Sequence, residues 1–345
     1  MELSERIISV ISDTGRDCFY TLTSKGSISI YKPNGDKAIQ HVQTISNLYK
    51  AAQDKAPGSP ALTPQSFQVI SLHVIDESES RSGVQLLAMT SNGVRLYFSP
   101  SSYTYGSARS TASAVRSLQL VHVRLPPSNL RHPDEISSPY HHTVTAYGPS
   151  HAHPQPTVRP YVVTSIENSC YSLGLTVAAQ QGDTDGTDYI LCMAPDLTRI
   201  GTFGQLNLPQ QQQQSQQQQA GYLSLYGSPN TSRPPLTEYA TLLAIPGRTW
   251  AMATVPRMPA ISIPSGVPAP AATNELATQF NESPRQVMLL TNVGLTFLVK
   301  RRAMDYLKAV LEELQSEGNV QPIIEFRDRL VGFSACRSRW NTYCS

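Results

Sequence analysis

QLLAMTSNGVRLYFSP, residues 85–100, contains two short apolar runs joined by a polar step. The first run ends at Thr90, and after Gly93 apolar residues alternate with Arg95 and Tyr97. An Asn-Gly pair between two such runs is a strong hairpin signal, because both turn residues tolerate positive φ. The stretch therefore predicts a small β-hairpin, and nothing in it suggests catalysis.

The same hairpin pattern recurs in CFYTLTSKGSISIYKP (18–33) and in QVMLLTNVGLTFLVKR (286–301). In each copy an apolar run ends at a threonine, and an alternating run follows a glycine three positions later. The three copies of this T-x-x-G pattern use Thr23 and Gly26, Thr90 and Gly93, and Thr291 and Gly294. A looser fourth copy joins residues 175–179 to 189–193 through a predicted turn at 183–188.

Repeated two-stranded hairpins predict a mainly β fold. Each hairpin is too small to bury a core alone, so several copies along one chain favour a β-propeller or a similar radial array of sheets. Ordinary hairpins of a β-sandwich are the alternative interpretation.

The remaining ordered segments extend this pattern. Strands are predicted at 67–80 and 117–129, and 238–256 is predicted to be an ordered apolar segment. A helical pattern within 34–66 brings together Val42, Ile45, Leu48, Tyr49 and Ala52. An amphipathic helix predicted at 301–315 marks a change of architecture from β to α.

Three insertions separate the ordered segments, near 129–160, 208–235 and 257–285, and the second contains a glutamine tract. Their composition cannot bury enough apolar surface to offset the loss of chain entropy on folding. We therefore expect them to be disordered.

Composition and charge exclude several classes of protein. Only 15% of the 345 residues are charged and the net charge is +2, which provides no electrostatic footprint for nucleic acid. The five cysteines form no CxxC pair, which indicates free thiols in a reducing compartment. The first residues do not form a signal peptide, and no apolar run reaches the roughly 18 residues of a membrane span. These features predict a cytosolic or nuclear protein.

Candidate catalytic and metal-binding residues are sparse. The histidines at 132, 141, 142, 151 and 153 crowd one loop, without a cysteine or carboxylate at ligand spacing. Residues 183–188 have the oxygen ligands of a calcium loop but lack the glutamate that closes an EF-hand site, so a hairpin turn is favoured. His73 and His122 lie in strand patterns and are interpreted as structural. We expect no catalytic residue, no cofactor and no metal.

Two strings in the middle of the chain carry a family resemblance. SLHVIDESESRSGVQLLAMTSNGVRLYFS (71–99), followed by LVHVRLPP (120–127), resembles one propeller blade of the large non-FG scaffold nucleoporins of the inner pore ring. ERIISVISDTGRDCFYTLTSKGSISIYKP (5–33) resembles the preceding blade. RQVMLLTNVGLTFLVKRRAMDYLKAVL (285–311) resembles the passage from the last blade into the first solenoid helix, and WAMATVP (250–256) stands in the expected place.

The resemblance implies a seven-bladed propeller followed by an α-helical solenoid. Residues 1–300 would then be the second half of the propeller, about three to four blades, and 301–345 the start of the solenoid. The implied role is a structural one in the nuclear pore complex, at the nuclear envelope. Its implied partners are other inner-ring and linker nucleoporins, pore membrane proteins and, in the full-length family, the pore membrane; no direct contact with nucleic acid is implied.

The chain departs from the family pattern at both ends. It begins in mid-propeller, so the upstream loop that contacts the membrane in the family is expected to be missing. IIEFRDRL (323–330) resembles the next solenoid helix, but residues 331–345 lack helical periodicity. We therefore expect a truncated product with open strand edges that are prone to association.

Two other classes of function are considered. A propeller hydrolase or lyase would need acidic or histidine residues on strands at one mouth of the ring, whereas here the histidine-rich segment is a predicted loop. A propeller adaptor of another coat or chromatin complex shares the general plan, but gives no reason for the string at 71–127.

Overall fold

The structure is a computed structural model. It describes residues 5–35, 38–76, 79, 83–100, 117–128, 130–133, 160–195, 238–256, 282–302, 304–305, 307–309, 311–312 and 340–344.

Four antiparallel sheets of four strands each follow one another along the described chain, and in each sheet the strands pair in chain order. Sheet 1 consists of β1 (Ile7–Asp13), β2 (Cys18–Thr23), β3 (Ile28–Asn34) and β4 (Ala38–Ile45). Sheet 2 consists of β5 (Val69–Val74), β6 (Leu86–Thr90), β7 (Arg95–Pro100) and β8 (Leu118–Arg124). The short pair of β9 (Leu130–Arg131) and β10 (Pro160–Tyr161) precedes the next sheet. Sheet 3 consists of β11 (Ile166–Ser172), β12 (Leu175–Gln181), β13 (Thr187–Pro195) and β14 (Glu238–Pro246). Sheet 4 consists of β15 (Thr249–Thr254), β16 (Gln286–Thr291), β17 (Gly294–Lys300) and β18 (Trp340–Cys344).

The sheets stack face to face in an arc around their first strands. β1 contacts β5, β5 contacts β11, and β11 contacts β15. One apolar core lies between sheets 1 and 2 and includes helix α1 (Leu48–Lys55). Further cores lie between sheets 2 and 3 and between sheets 3 and 4. The arrangement is propeller-like, and the predicted mainly β propeller fold is confirmed.

The two middle sheets are covered on both faces, which explains their continuous apolar runs. In β6, Leu86 and Ala88 pack into the core toward sheet 1, while Met89 packs into the core toward sheet 3. In β12, Val177 faces the core toward sheet 4 and Ala178 the core toward sheet 2. Strands that are buried on both sides need apolar residues at every position rather than at alternate ones.

Three segments differ from their sequence-based interpretation. Val42 and Ile45 belong to strand β4, and only the later part of the predicted helical pattern forms α1. The segment predicted to be disordered from 129 begins with β9 and the buried His132, whereas 134–159 lie outside the described residues. Trp340–Cys344 forms β18 beside β17, where the start of a solenoid had been predicted; this fourth strand completes the ladder of sheet 4.

The other predicted insertions, 208–235 and most of 257–285, lie outside the described residues. Described residues from 304 to 312 are helical, as predicted for this segment, while the solenoid itself stays a prediction. Among the described helices, none is long and apolar enough to cross a membrane.

Candidate functional site

The T-x-x-G residues occupy matching places in three sheets. Each threonine is the last residue of the second strand: Thr23 of β2, Thr90 of β6 and Thr291 of β16. Gly26 and Gly93 lie in the turns that follow, and Gly294 is the first residue of β17. The looser fourth copy lies at the same place in sheet 3, between β12 and β13.

Two of these turns have the same geometry. The Gly26 amide donates to the Thr23 carbonyl at 2.9 Å, and the Gly93 amide donates to the Thr90 carbonyl at 3.0 Å. Both glycines adopt the left-handed backbone conformation, with φ of 79° and 84°. Residues with a side chain adopt this conformation only with strain. The turn at Gly294 is tighter, because this residue pairs directly with Thr291.

The threonine hydroxyls close the turns. Thr90 Oγ1 donates to the Val94 carbonyl at 2.9 Å, and Thr291 Oγ1 donates to the Gly294 carbonyl at 3.0 Å. In the first copy Thr23 Oγ1 instead accepts from the Ser27 amide at 3.1 Å. The recurring threonine therefore adds a side-chain hydrogen bond to the backbone of each turn.

A buried ionic clasp joins sheets 2 and 3. Arg95, which is 1% exposed, donates from Nη1 to Glu238 Oε2 at 2.8 Å and also binds the other carboxylate oxygen through Nη2. Arg124 Nη1 donates to the same Oε2 at 2.6 Å. Glu238 is the first residue of β14, so two arginines of sheet 2 hold one carboxylate of sheet 3. Both arginines belong to the strings that resemble the nucleoporin blade.

The clasp determines the charge of its carboxylate. Burial alone would raise the pKa of Glu238, but the hydrogen bonds and charges of Arg95 and Arg124 outweigh burial and lower it. Glu238 thus stays ionised and compensates the buried guanidinium of Arg95. Sequence reasoning missed Glu238, for which the local signal is only a carboxylate at the start of an apolar strand.

A second polar contact between sheets 2 and 3 contains a histidine. His73 Nε2 lies 2.9 Å from Ser169 Oγ, and Ser169 Oγ lies 2.6 Å from Ser71 Oγ. Burial lowers the pKa of His73 to about 4, so the ring is neutral at physiological pH. The arrangement fits the structural role predicted for this residue.

The other sheet interfaces have comparable polar contacts. Between sheets 1 and 2, the Gln43 side chain donates to the Leu118 carbonyl at 3.0 Å and accepts from the Leu118 amide at 2.7 Å. Between sheets 3 and 4, the buried carboxylate of Asp188 accepts from the Thr249 amide at 2.6 Å. Side chains that bond backbone groups of the next sheet fix how neighbouring sheets are oriented.

The predicted histidine loop is only partly described. His132 Nε2 lies 3.0 Å from Asp183 Oδ2 and 3.0 Å from the Tyr189 hydroxyl. The histidines at 141, 142, 151 and 153 lie outside the described residues. Within the part of the chain that the structure describes, no group of three or more His, Cys, Asp or Glu could hold a metal ion.

The described thiols are buried and inert. Cys18, Cys170 and Cys192 are free. Burial raises the pKa of Cys170 to about 12 and also raises the pKa of Cys18 and of Cys192. A protonated, enclosed thiol is a poor nucleophile, and these cysteines act as small core residues.

These contacts define the class of protein. The described polar clusters close turns or join one sheet to the next, and the fold is a series of propeller-like sheets, so the chain is a structural β-propeller-type protein. A family model described as "Nup133 N terminal like" matches residues 3–296, and the chain therefore belongs to this Nucleoporin_N family. The resemblance to scaffold nucleoporins is thereby confirmed, and the family places the protein in the nuclear pore complex at the nuclear envelope.

Two known proteins show the extent of the likeness. A probable nucleoporin of Schizosaccharomyces pombe is 25% identical over 350 residues, in a match that covers 96% of this chain and 24% of the relative. The chain thus spans about a quarter of the length of that protein. The crystal structure of the Chaetomium thermophilum Nup170 N-terminal domain in complex with Nup53 matches with a TM-score of 0.57 and 21% identity. That match covers 90% of this chain and 38% of the solved chain, and it shows the fold alone.

Proposed function

We propose that this protein is a structural scaffold component of the inner ring of the nuclear pore complex and supports nucleocytoplasmic transport through protein–protein contacts. The observation that carries the proposal is the clasp of Arg95 and Arg124 on Glu238. It uses the arginines of the nucleoporin-like strings to lock two sheets together, which is the task of a rigid scaffold. The proposed function is not enzymatic, which is supported by the family and by polar clusters that close turns or join one sheet to the next.

The partners we propose are other nucleoporins, including a linker of the Nup53 type. The similar Nup170 domain was solved in complex with Nup53, and a shared propeller-like fold would present a comparable surface. Contact with pore membrane proteins and with the pore membrane is proposed for the longer proteins of the family.

The experiment is localisation and co-purification of the fluorescently tagged chain expressed in Schizosaccharomyces pombe. We expect a punctate nuclear rim and recovery of inner-ring nucleoporins. Gly93→Ala, which disturbs a packed turn, should weaken both signals, and Gly26→Ala at an open turn is the matched control.

Three outcomes would contradict parts of the proposal. A diffuse fluorescence signal for the tagged wild-type chain, with the same diffuse signal for Gly93→Ala and Gly26→Ala, would reject the scaffold function. Rim localisation with recovery of another nucleoporin subcomplex would retain the scaffold function but reject the inner ring. Recovery of coat or chromatin proteins would favour the adaptor alternative.

A further inference from the structure

Arg302 organises the junction between sheet 4 and the helical residues that follow it. Its guanidinium donates from Nε to Asp305 Oδ2 at 3.0 Å and from Nη2 to Asp305 Oδ1 at 2.9 Å. The remaining nitrogen, Nη1, donates to the main-chain carbonyl of Glu282. Arg302 follows β17, and Glu282 lies shortly before β16. One side chain therefore connects the start of the helix to the approach of the neighbouring strand.

Asp305 ties the start of the helix to Arg302 a second time. Its Oδ2 also accepts from the Arg302 main-chain amide at 2.7 Å, across three residues, as in a capping box. The hydrogen bond from the Arg302 side chain is the main cause that lowers the pKa of Asp305. The carboxylate is therefore ionised, and its contact with the guanidinium is a charge-assisted, bidentate pair. How the helix start is held against sheet 4 depends on this pair.

Ser283 lies one peptide bond from the Glu282 carbonyl that Arg302 binds. Its side chain is exposed, and Pro284 follows it. A proline restricts the residue before it to an extended conformation. Residues 283–285 lead directly into β16 without a helix or turn. An exposed serine in an extended segment, with proline directly after it, is the form in which proline-directed protein kinases bind their substrates.

Other Ser-Pro and Thr-Pro pairs among the described residues are less suited to a kinase. Ser99 is 4% exposed, and its hydroxyl donates to the Gly83 carbonyl at 3.1 Å. The hydroxyl oxygen of Ser59 is buried. Thr63 is exposed, but its hydroxyl lies 2.5 Å from Ser66 Oγ within a hydrogen-bonded turn. A kinase needs an acceptor that is both accessible and extended, and Ser283 meets both conditions.

The surroundings of Ser283 have an excess of positive charge. Segments 282–285 and 300–305 contain four basic and two acidic residues, which are Arg285, Lys300, Arg301 and Arg302, and Glu282 and Asp305. The Lys300 amide donates to the Arg285 carbonyl at 2.9 Å, which brings the two segments together. Phosphoserine carries about two negative charges at pH 7, and this excess is complementary to it.

We propose that Ser283 is a phosphorylation site, and that its phosphate takes the guanidinium of Arg302 from Asp305. A proline-directed kinase transfers the γ-phosphoryl group of ATP to Ser283 Oγ. A bond from Oγ to phosphorus forms, the bond between the γ-phosphorus and ADP breaks, and the hydroxyl proton passes to a base of the kinase. The phosphate dianion binds the guanidinium in the same bidentate way as the carboxylate, but with more charge. The exchange loosens the helix start from sheet 4. This site does not depend on the scaffold function proposed above.

The first experiment incubates the purified 345-residue chain with a proline-directed serine/threonine kinase and ATP, and locates phosphate by tandem mass spectrometry. We expect phosphate on Ser283, and no phosphate in the same peptide of Ser283→Ala. Ser99 is the control, since a buried Ser-Pro pair in the folded chain should stay unmodified. Absence of phosphate on Ser283 would overturn the proposal, whether or not a free peptide of residues 279–289 is modified.

The second experiment tests the contact with Arg302 by phosphorus NMR. Phosphoserine has a second pKa of about 6, and a guanidinium nearby lowers it. The phosphorus signal that Ser283→Ala removes should titrate about one pH unit below that of the phosphorylated free peptide. Arg302→Gln should restore the value of the peptide, and Asp305→Asn, which removes the competing carboxylate, should keep it lowered.

The matched control for Arg302→Gln is Arg248→Gln. Arg248 bonds Asn292 in the turn between β16 and β17, at the opposite end of sheet 4, so its removal should leave the titration unchanged. A wild-type signal that titrates like the free peptide would overturn the proposal. A lowered value that Arg302→Gln leaves unchanged would overturn it as well.

The third experiment measures the effect of the phosphate on the helix by hydrogen exchange. In the phosphorylated wild type, the amides around Asp305 and Lys308 should exchange faster by at least about threefold, because the helix start has lost its pair with Arg302. Arg302→Gln should show this faster exchange without phosphate and little further change with it. Exchange that phosphorylation of Ser283 leaves unchanged in the wild type would overturn the proposal.

Discussion

Arg95 is buried and charged, and it is stable there only because Glu238 and Arg124 complete its surroundings. The three residues are far apart in sequence, so no local pattern could predict their contact. The strings that contain both arginines could be recognised, but their shared acceptor on another sheet could not. The same applies to His73, whose structural role was predicted while its partner Ser169 was not.

Removing the clasp carboxylate should destabilise the fold strongly. Glu238→Gln leaves the guanidinium of Arg95 buried without a counter-charge, a change that costs about 3 kcal/mol of unfolding free energy. The matched control is Glu167→Gln, which breaks the more exposed pair with Arg248 and should cost less than about 1 kcal/mol. Urea unfolding measures both, and equal midpoints for the two variants would contradict the clasp.

His73 should make stability depend on pH in the acid range. Its pKa is lowered to about 4 in the fold, so between about 6.5 and 4 the unfolded chain binds more protons than the folded one. Stability is then full above about pH 6.5 and falls as the pH drops toward 4, by roughly 3 kcal/mol for a shift of this size. His73→Gln should flatten that part of the profile. Urea midpoints from pH 4 to 7.5 measure the slopes for this variant and the wild type, and identical profiles would disprove the assignment.

At the scale of single elements, the hairpins could be predicted because their signals are local. The apolar runs, the alternation and the T-x-x-G spacing all lie within about 16 residues of each other around Thr23, Thr90 and Thr291. β18 could not be predicted, because its partner β17 lies before the segment 301–339 and WNTYC has no alternating apolar pattern of its own. β4 was partly read as helix because Val42 and Ile45 also fit a helical spacing.

The two equivalent turn glycines should respond differently to alanine. Both have positive φ, so each Gly→Ala change costs about 1 kcal/mol of backbone strain. A Cβ at Gly26 meets nothing within 4 Å, whereas at Gly93 it would lie 3.0 Å from Val163 Cγ1 and 3.2 Å from Pro126 Cβ. Gly93→Ala should therefore lose about 3 kcal/mol in total, because overpacking is added to the strain. Urea midpoints test the difference, and a Gly26→Ala variant as unstable as Gly93→Ala would refute the packing explanation.

The glutamine-rich segment should be dispensable for the fold. Pro195 and Glu238 are paired neighbours at the ends of β13 and β14, so a short turn can join them without moving either strand. Replacing 196–237 with a four-residue Gly/Asn turn shortens a long loop and should leave stability unchanged or raise it by up to about 2 kcal/mol. Circular dichroism and the urea midpoint measure the outcome, with the Glu238 clasp retained. A loss of stability would mean that this segment contributes to the folded core.

At the scale of the whole molecule, the arc distributes burial unevenly between its middle and its ends. Sheets 2 and 3 have a core on each side, and every residue of β6 is buried. β1 has mostly exposed residues, and among the described cores sheet 4 packs only on sheet 3. Local unfolding free energies follow such differences in burial.

Hydrogen exchange should therefore reveal a stable centre and weaker ends. In the purified chain, the amides of β6 and β12 should exchange only through global unfolding. The amides of β1 and β15 should exchange faster by at least about tenfold, since opening an end sheet exposes one core instead of two. Mass-spectrometric exchange of the purified chain measures this difference. Uniform protection along the arc would show that the four sheets unfold as one unit.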